Sequence, residues 1–362
     1  MKILQIIQRS QLRGAEIFAC QLSEELQKQG HEVHVLILFG EKSSVLLFTL
    51  SFEYLQANEK SRWFDFDGYK RLSQFVKKGN YDIVQANAGD TLKYATLSKK
   101  IYKWKSKLVF RNANKISDFL NTLPKRMLNR WLMNSVDGVA SVSEECRLDF
   151  ISTFSWKQKP ITCLPIGIKV IDTRPYLSLE EIGIQGKGPF LLNVAGFVKE
   201  KNHAGLFRIF IKLLSAYPDA KLLLIGEGRL QSECKEFVIQ NQLVDKVFFL
   251  GKRNDVLQIM GCCDAFLLPS LIEGLPGVIL EAFSMRLPVV ANDVGGIKEI
   301  VVNQKTGRLV QKNNEEEFLS AIINSFKSSN EELTKTAYHL ATEEYSIDKV
   351  SKQFYQFYTT LI

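Results

Sequence analysis

The stretch 264-DAFLLPSLIEGLPGVILEAFSMRLPVVANDVGG-296 reads as strand, loop, helix, strand, loop. Ala265 to Leu268 is a short apolar run that stops at Pro269 and Ser270, as a buried strand does. Glu273-Gly274-Leu275-Pro276-Gly277 is a turn-rich break. Val278 to Met285 resumes an apolar pattern of helical type, and Leu287 to Ala291 forms a second buried strand. Asn292 to Gly296 is another glycine-rich loop, with a helix beginning at Ile297.

A glycine-rich loop feeding a helix N-terminus offers free N–H groups and the positive end of the helix dipole, which together suit an anion. Pro276 has no N–H, so Gly274, Leu275, Gly277 and Val278 are the candidate donors. Glu273 sits in the loop and Glu281 one turn into the helix. A carboxylate repels a phosphate but accepts hydrogen bonds from sugar hydroxyls, as an acidic residue does on ribose in dinucleotide folds. The pair suggests a diphosphate with hydroxyl-rich groups on both sides, which is a sugar nucleotide. Either glutamate alone reads as a solvated loop or helix-start residue.

Taken together, E-G-L-P-G-x-x-x-E followed by P-V-V-A-x-D-V-G-G-x-x-E resembles the E-x7-E signature of retaining glycosyltransferases of GT-B fold, in the large family 4 of bacterial hexosyltransferases. The likeness spans most of residues 190–310. It implies an α/β protein of two Rossmann-like parallel-sheet domains facing across a cleft.

Composition fits that expectation. At 362 residues the chain is long enough for two cores. Its 46% hydrophobic and 24% charged content are ordinary for a globular protein. No apolar run reaches the ~18 residues of a membrane helix. Met1 to Ile7 is too short for a signal peptide and reads as a first strand, so a cytoplasmic location is expected, with the inner face of the plasma membrane as an alternative. Six scattered cysteines lack metal-ligand spacing and read as reduced thiols. Residues 1–170 hold 26 Lys and Arg against 16 Asp and Glu, whereas the rest hold 21 against 23. The basic first half suggests an anionic partner, either a membrane surface or a lipid phosphate, or serves solubility alone.

Residues 1–40 read as strand, loop, helix, strand, one βαβ unit of a parallel sheet. The Arg13-Gly14-Ala15-Glu16 junction resembles the family's G-G-A-E loop, with Arg13 in place of the first glycine. Asp65-Phe66-Asp67 matches the D-x-D metal pattern of other glycosyltransferases, but without its strand context it reads as a loop with solvated carboxylates. Thr91 to Lys107 mixes apolar residues with six lysines. It reads as a surface helix packing Leu97 and Ile101 inward, or as a basic helix lying on an anionic membrane. After the strand at Leu108 to Phe110, the family's histidine is absent, and Arg111, Asn112 and Asn114 take the polar, acceptor-side positions together with Arg13.

A linker is expected over Lys169 to Pro189, which puts the first domain at 1–170 and the second at 171–344. The helix at 345–362 is expected to return to the first domain. Gly196 to Asn202 resembles the family's G-R-x-x-x-x-K-N motif, in which an arginine and a lysine grip the diphosphate. Lys201 and Asn202 align, while Gly196 stands at the arginine. Gly251 precedes the loop that usually borders the base.

The resemblance therefore implies transfer of a sugar, with retention, from a UDP- or GDP-linked donor to a glycan or a polyprenyl-diphosphate-linked acceptor, in cell-surface polysaccharide synthesis. Lys201 and Glu273 would be catalytic. Gly14, Gly196, Lys201, Asn202, Gly251, Glu273 to Val278 and Glu281 would hold the donor. No metal and no cofactor are expected, and no nucleic-acid partner. A non-catalytic nucleotide-sugar-binding subunit and a GT-B-fold epimerase are the alternatives.

Overall fold

A computed structural model describes the chain except residues 42–44, 121, 158, 171–177 and 328. Part of the expected linker, with Pro175, lies outside the described residues. The chain divides into two compact units, Met1–Lys169 with Tyr345–Ile362, and Val170–Glu344.

In the first unit the order is β1 (Lys2–Ile7), α1 (Gly14–Lys28), β2 (Glu32–Ile37), β3 (Phe52–Tyr54), α2 (Phe66–Gly79), β4 (Ile83–Ala86), α3 (Gly89–Tyr102), β5 (Lys107–Asn112), α4 (Leu123–Met133), β6 (Gly138–Ser141), α5 (Glu144–Phe154) and β7 (Ile161–Cys163). All seven strands are parallel, in the order β3-β2-β1-β4-β5-β6-β7. A parallel sheet is covered on both faces, so its strands are apolar almost throughout. Alternate residues go to opposite layers. Ile3, Ile83, Val109 and Ala140 pack under α1, and Leu4, Val84, Leu108 and Val139 pack with residues of α2 to α5.

In the second unit the order is β8 (Phe190–Val194), α6 (His203–Leu214), β9 (Lys221–Ile225), α7 (Gln231–Gln240), β10 (Val247–Gly251), α8 (Val256–Met260), β11 (Ala265–Leu268), α9 (Gly277–Ser284), β12 (Val289–Asn292), α10 (Ile297–Ile300), β13 (Arg308–Val310), α11 (Glu315–Lys327) and α12 (Glu331–His339). Its six parallel strands run β10-β9-β8-β11-β12-β13. In both sheets the strand order reverses beside the first strand, and ligands bind beyond the carboxyl ends of strands at such a point.

The last helix, α13 (Ile347–Thr359), belongs to the first unit. Its Val350, Phe354 and Phe357 join the layer of Ile3, Phe18 and Leu22. Tyr358 closes a buried ring of four hydrogen bonds. Its hydroxyl donates to Gln85 Oε1 at 2.6 Å, Gln85 Nε2 to Asn87 Oδ1 at 3.0 Å, Asn87 Nδ2 to Gln5 Oε1 at 2.9 Å, and Gln5 Nε2 to the Tyr358 hydroxyl at 3.4 Å.

Two local expectations change. Asp65 is buried rather than solvated. It caps α2 by accepting from Gly68 N at 2.9 Å, and it also accepts from the Tyr94 hydroxyl at 2.9 Å. Aspartate at an N-cap satisfies a helix N–H that otherwise has no partner. The basic stretch 91–107 is not one helix: α3 stops at Tyr102, Lys103 takes a left-handed conformation, and Lys107 begins β5. Leu92, Tyr94, Leu97 and Trp104 are buried, Ile101 is exposed, and Lys99 pairs with Asp137 at 2.6 Å.

Candidate active site

The loops after β8 and β11 meet in the second unit. Gly226 and Gly228 follow β9, and a Cβ on Gly228 would lie 2.5 Å from Phe197 O. This close packing holds the 195–198 backbone, with Phe197 N donating to Glu227 O at 3.1 Å. The chain then makes a short 3-10 turn over Lys199–Lys201 and reaches Asn202 at φ 56°. Asn202 caps α6 by accepting from Gly205 N at 3.2 Å, and its amide donates to Pro269 O at 3.1 Å. Leu271 N donates to Glu200 O at 2.7 Å. These bonds fasten the lysine loop to the end of β11.

The loop after β11 is fixed from its other side by the glycine pair after β12. Gly296 N donates to Gly274 O at 2.6 Å, and Gly295, at φ 57°, lies so close that a Cβ would stand 2.1 Å from Glu273 O. Asn292 Nδ2 donates to Ser270 O at 3.2 Å. Pro276 then opens α9 without a side-chain cap. The amides of Gly274, Leu275, Gly277 and Val278 donate to no group among the described residues.

Lys201 Nζ lies 2.6 Å from Glu273 Oε1, with Glu273 only 7% exposed. Lys201, Glu273 and the four uncommitted amides are thus brought together by one set of loops. Glu281 follows on α9. The residue is half-buried, and the resulting loss of hydration governs its titration. Burial pushes its pKa up from 4.5 to about 7. Its carboxylate has no hydrogen-bond or ion-pair partner among the described residues.

Gly196 stands where a Cβ would meet only Glu227 O at 3.4 Å, so a side chain fits there. Gly251 ends β10 at φ 65° with open space around its Cα. His203 was not legible as a site residue. It is buried, stacks on Phe197 with centroids 4.2 Å apart, and has neither ring nitrogen hydrogen-bonded. Burial, then the charge of Lys201, lowers its pKa to about 4, so it packs behind the lysine loop as a neutral ring.

The residues expected on the acceptor side, Arg13, Arg111, Asn112 and Asn114, lie in the first unit, as does Gly14, expected to hold the donor. Arg13 and Gly14 are exposed at the start of α1, which has no side-chain cap, and Asn114 is exposed beyond β5. Arg111 and Asn112 are buried. Asn112 Nδ2 donates to Cys146 O at 3.2 Å. The Arg111 guanidinium lies 4.2 Å from the Phe18 ring centroid, and none of its nitrogens has a hydrogen-bond partner. Burial lowers its pKa to about 10, against the opposing pull of Tyr358 and Glu16. Among the described residues no group of three or more His, Cys, Asp or Glu is placed to hold a metal.

Residues 178–340 match the family model "Glycosyl transferases group 1", and residues 12–170 match "Glycosyltransferase Family 4". The chain is a family 4 glycosyltransferase. Among the relatives of this glycosyltransferase is N-acetyl-alpha-D-glucosaminyl L-malate synthase of Bacillus anthracis, 26% identical over 82% of the chain and 80% of the relative. A Campylobacter jejuni enzyme, N-acetylgalactosamine-N,N'-diacetylbacillosaminyl-diphospho-undecaprenol 4-alpha-N-acetylgalactosaminyltransferase, is 28% identical over 61% of each chain. The crystal structure of Anabaena HepE in complex with UDP-glucose superposes with a TM-score of 0.84, at 19% identity, over 99% of this glycosyltransferase and 100% of that chain. That likeness establishes the GT-B fold.

Proposed function

We propose that this glycosyltransferase transfers a sugar, with retention, from a UDP- or GDP-linked donor to a glycan or polyprenyl-diphosphate-linked acceptor in cell-surface polysaccharide synthesis. The observation that carries the reading is Lys201 beside Glu273 at the loop whose four amides are uncommitted. A cation and aligned N–H groups stabilise the charge that develops on a leaving diphosphate. Glu281 accepts hydrogen bonds from the ribose, and Glu273 from hydroxyls of the donor sugar. The leaving diphosphate takes the acceptor proton, so no separate base is needed. Retention and the choice of base rest on the family resemblance. The lipid-linked acceptor is supported by the diphospho-undecaprenol substrate in the name of the Campylobacter relative.

No metal is assigned to the reaction, because Lys201 and the loop amides supply the positive charge. Thermal-shift screening against UDP-, GDP-, ADP- and dTDP-sugars identifies the donor. Release of nucleoside diphosphate from that donor is then followed in EDTA. Turnover that persists on chelation agrees with this reading. Turnover lost on chelation and restored by Mn²⁺ or Mg²⁺ contradicts it, as does donor binding without any release.

A further inference from the structure

Helix α4, LPKRMLNRWLM, turns its apolar stripe to solvent. Leu123, Met127 and Trp131 recur every four residues and so lie on one face. They are 74%, 72% and 47% exposed, while the helix buries only Leu132 and Met133. The last turn of α3 reaches this face through a cation. Lys100 Nζ sits 4.4 Å above the Trp131 ring, and the next residue, Ile101, is 44% exposed. Leucine, methionine and tryptophan so arranged mark an interaction surface rather than scattered exposure.

The segment that carries this stripe is strongly basic. Residues 99–133 carry ten Lys and Arg and a single acidic residue, Asp118. Lys100, Arg126 and Arg130 meet no carboxylate among the described residues; Arg126 donates to Leu120 O and Arg130 to Ser155 Oγ. By contrast, Lys93 and Lys99 on α3 are already paired, with Asp90 and Asp137. An apolar strip bordered by uncompensated cations fits an interface that is apolar below and anionic above. A globular partner would have to supply both an apolar groove and an acidic rim, whereas an anionic bilayer presents both everywhere.

We propose that α4 and the end of α3 form a membrane-docking face, with Leu123, Met127 and Trp131 entering the headgroup–acyl boundary of an anionic bilayer while Lys100, Arg126 and Arg130 contact lipid phosphates. The inference does not depend on the sugar-transfer reading, since it concerns residues outside the candidate active site.

The test uses the full chain and vesicles of phosphatidylcholine with or without phosphatidylglycerol. The wild type is expected to sediment with the anionic vesicles at low salt and to bind the zwitterionic ones at least about tenfold less. The triple variant Leu123→Gln/Met127→Gln/Trp131→Gln should lose about tenfold or more in partitioning while keeping its melting temperature, because all three side chains are exposed. Lys100→Gln/Arg126→Gln/Arg130→Gln should lose a similar factor and most of the salt dependence. Trp131 emission should shift to the blue on binding, and Trp131→Phe should remove that shift. A wild type that ignores anionic vesicles at low salt overturns the proposal, and so does an apolar triple variant that binds like wild type. Lipid-free association of the wild type that the triple variant abolishes also overturns it, by showing that a second copy covers the stripe.

Discussion

Lys201 and Glu273, 72 positions apart in the chain, bring Nζ and Oε1 to 2.6 Å, and the carboxylate is almost wholly buried. The pair joins the loop after β8 to the loop after β11. It also sets the charge of the site, since Lys201 arrives with a partner and its cation is shared between that carboxylate and any phosphate placed on the α9 amides.

Removing one member of such a pair leaves the other buried and unpaired, which costs about 1–3 kcal/mol. Lys201→Ala should therefore lower both the melting temperature and the transfer rate. Lys201→Met combined with Glu273→Gln should recover most of the melting temperature but none of the rate. Calorimetric unfolding and a donor-turnover assay distinguish the two effects. A double variant as active as wild type would remove the pair from the chemistry.

Glu281 gives a prediction with a definite sign. Its pKa is raised in the folded chain from 4.5 to about 7, so the folded protein holds the proton more tightly than the unfolded one. Stability then falls as pH rises from about 4.5 through about 7, and the full cost is present above that. Glu281→Gln removes the cost. It should raise the melting temperature at about pH 8 and leave it nearly unchanged near pH 4.5. The same substitution should weaken nucleotide binding, since each hydrogen bond from a hydroxyl to a charged acceptor contributes roughly 1.5–3 kcal/mol. An equal gain in melting temperature at both pH values would show that carboxyl burial is not the cause, and unchanged affinity in titration calorimetry would remove Glu281 from the donor site.

Gly295 and Gly251 both have positive φ but differ in surroundings. At Gly251 a methyl group meets open space, so Gly251→Ala should cost only the backbone conformation, about 1 kcal/mol. At Gly295 the methyl would collide with Glu273 O and displace the Glu273–Gly274 backbone. Gly295→Ala should be the more destabilising of the two in denaturant melts and should also depress nucleotide binding. Comparable costs would mean that the 273–274 loop gives way freely.

Gly196 offers a gain-of-function test. Its surroundings admit a side chain. The family pattern has arginine there, so Gly196→Arg should tighten binding of the cognate nucleoside diphosphate, by up to about tenfold for one charge-assisted bond. Weaker binding would mean that this position faces away from the phosphates.

The two parallel sheets were legible because strands buried on both faces read as continuous apolar runs, and the meeting of Lys201 with Glu273 because their motif spacing is specific. What stayed hidden depended on tertiary neighbours. Asp65 reads as a loop carboxylate until Tyr94 and the start of α2 enclose it. The lysines of 91–107 look alike in the sequence, and only the fold separates paired Lys99 from Lys100, which stacks on Trp131. His203 carries no motif, and its role comes from the Phe197 ring beneath it. Arg111 reads as a polar loop-end residue, yet the sheet position that continues β5 buries it against Phe18.

The ring of Gln5, Gln85, Asn87 and Tyr358 bears on the order in which the protein assembles. A ribosome releases the chain from its N-terminus, so all seven strands of the first sheet emerge long before α13. Until Tyr358 appears, the polar groups of three of those residues lack an acceptor and a donor, and the layer of Ile3, Phe18 and Leu22 lacks its cover. The second unit, contiguous over Val170–Glu344, can complete its own core first. The N-terminal half is then the last part to settle during synthesis. Nascent chains stalled before residue 345 should expose its apolar layer to chaperones and proteases, while the second unit is already protected.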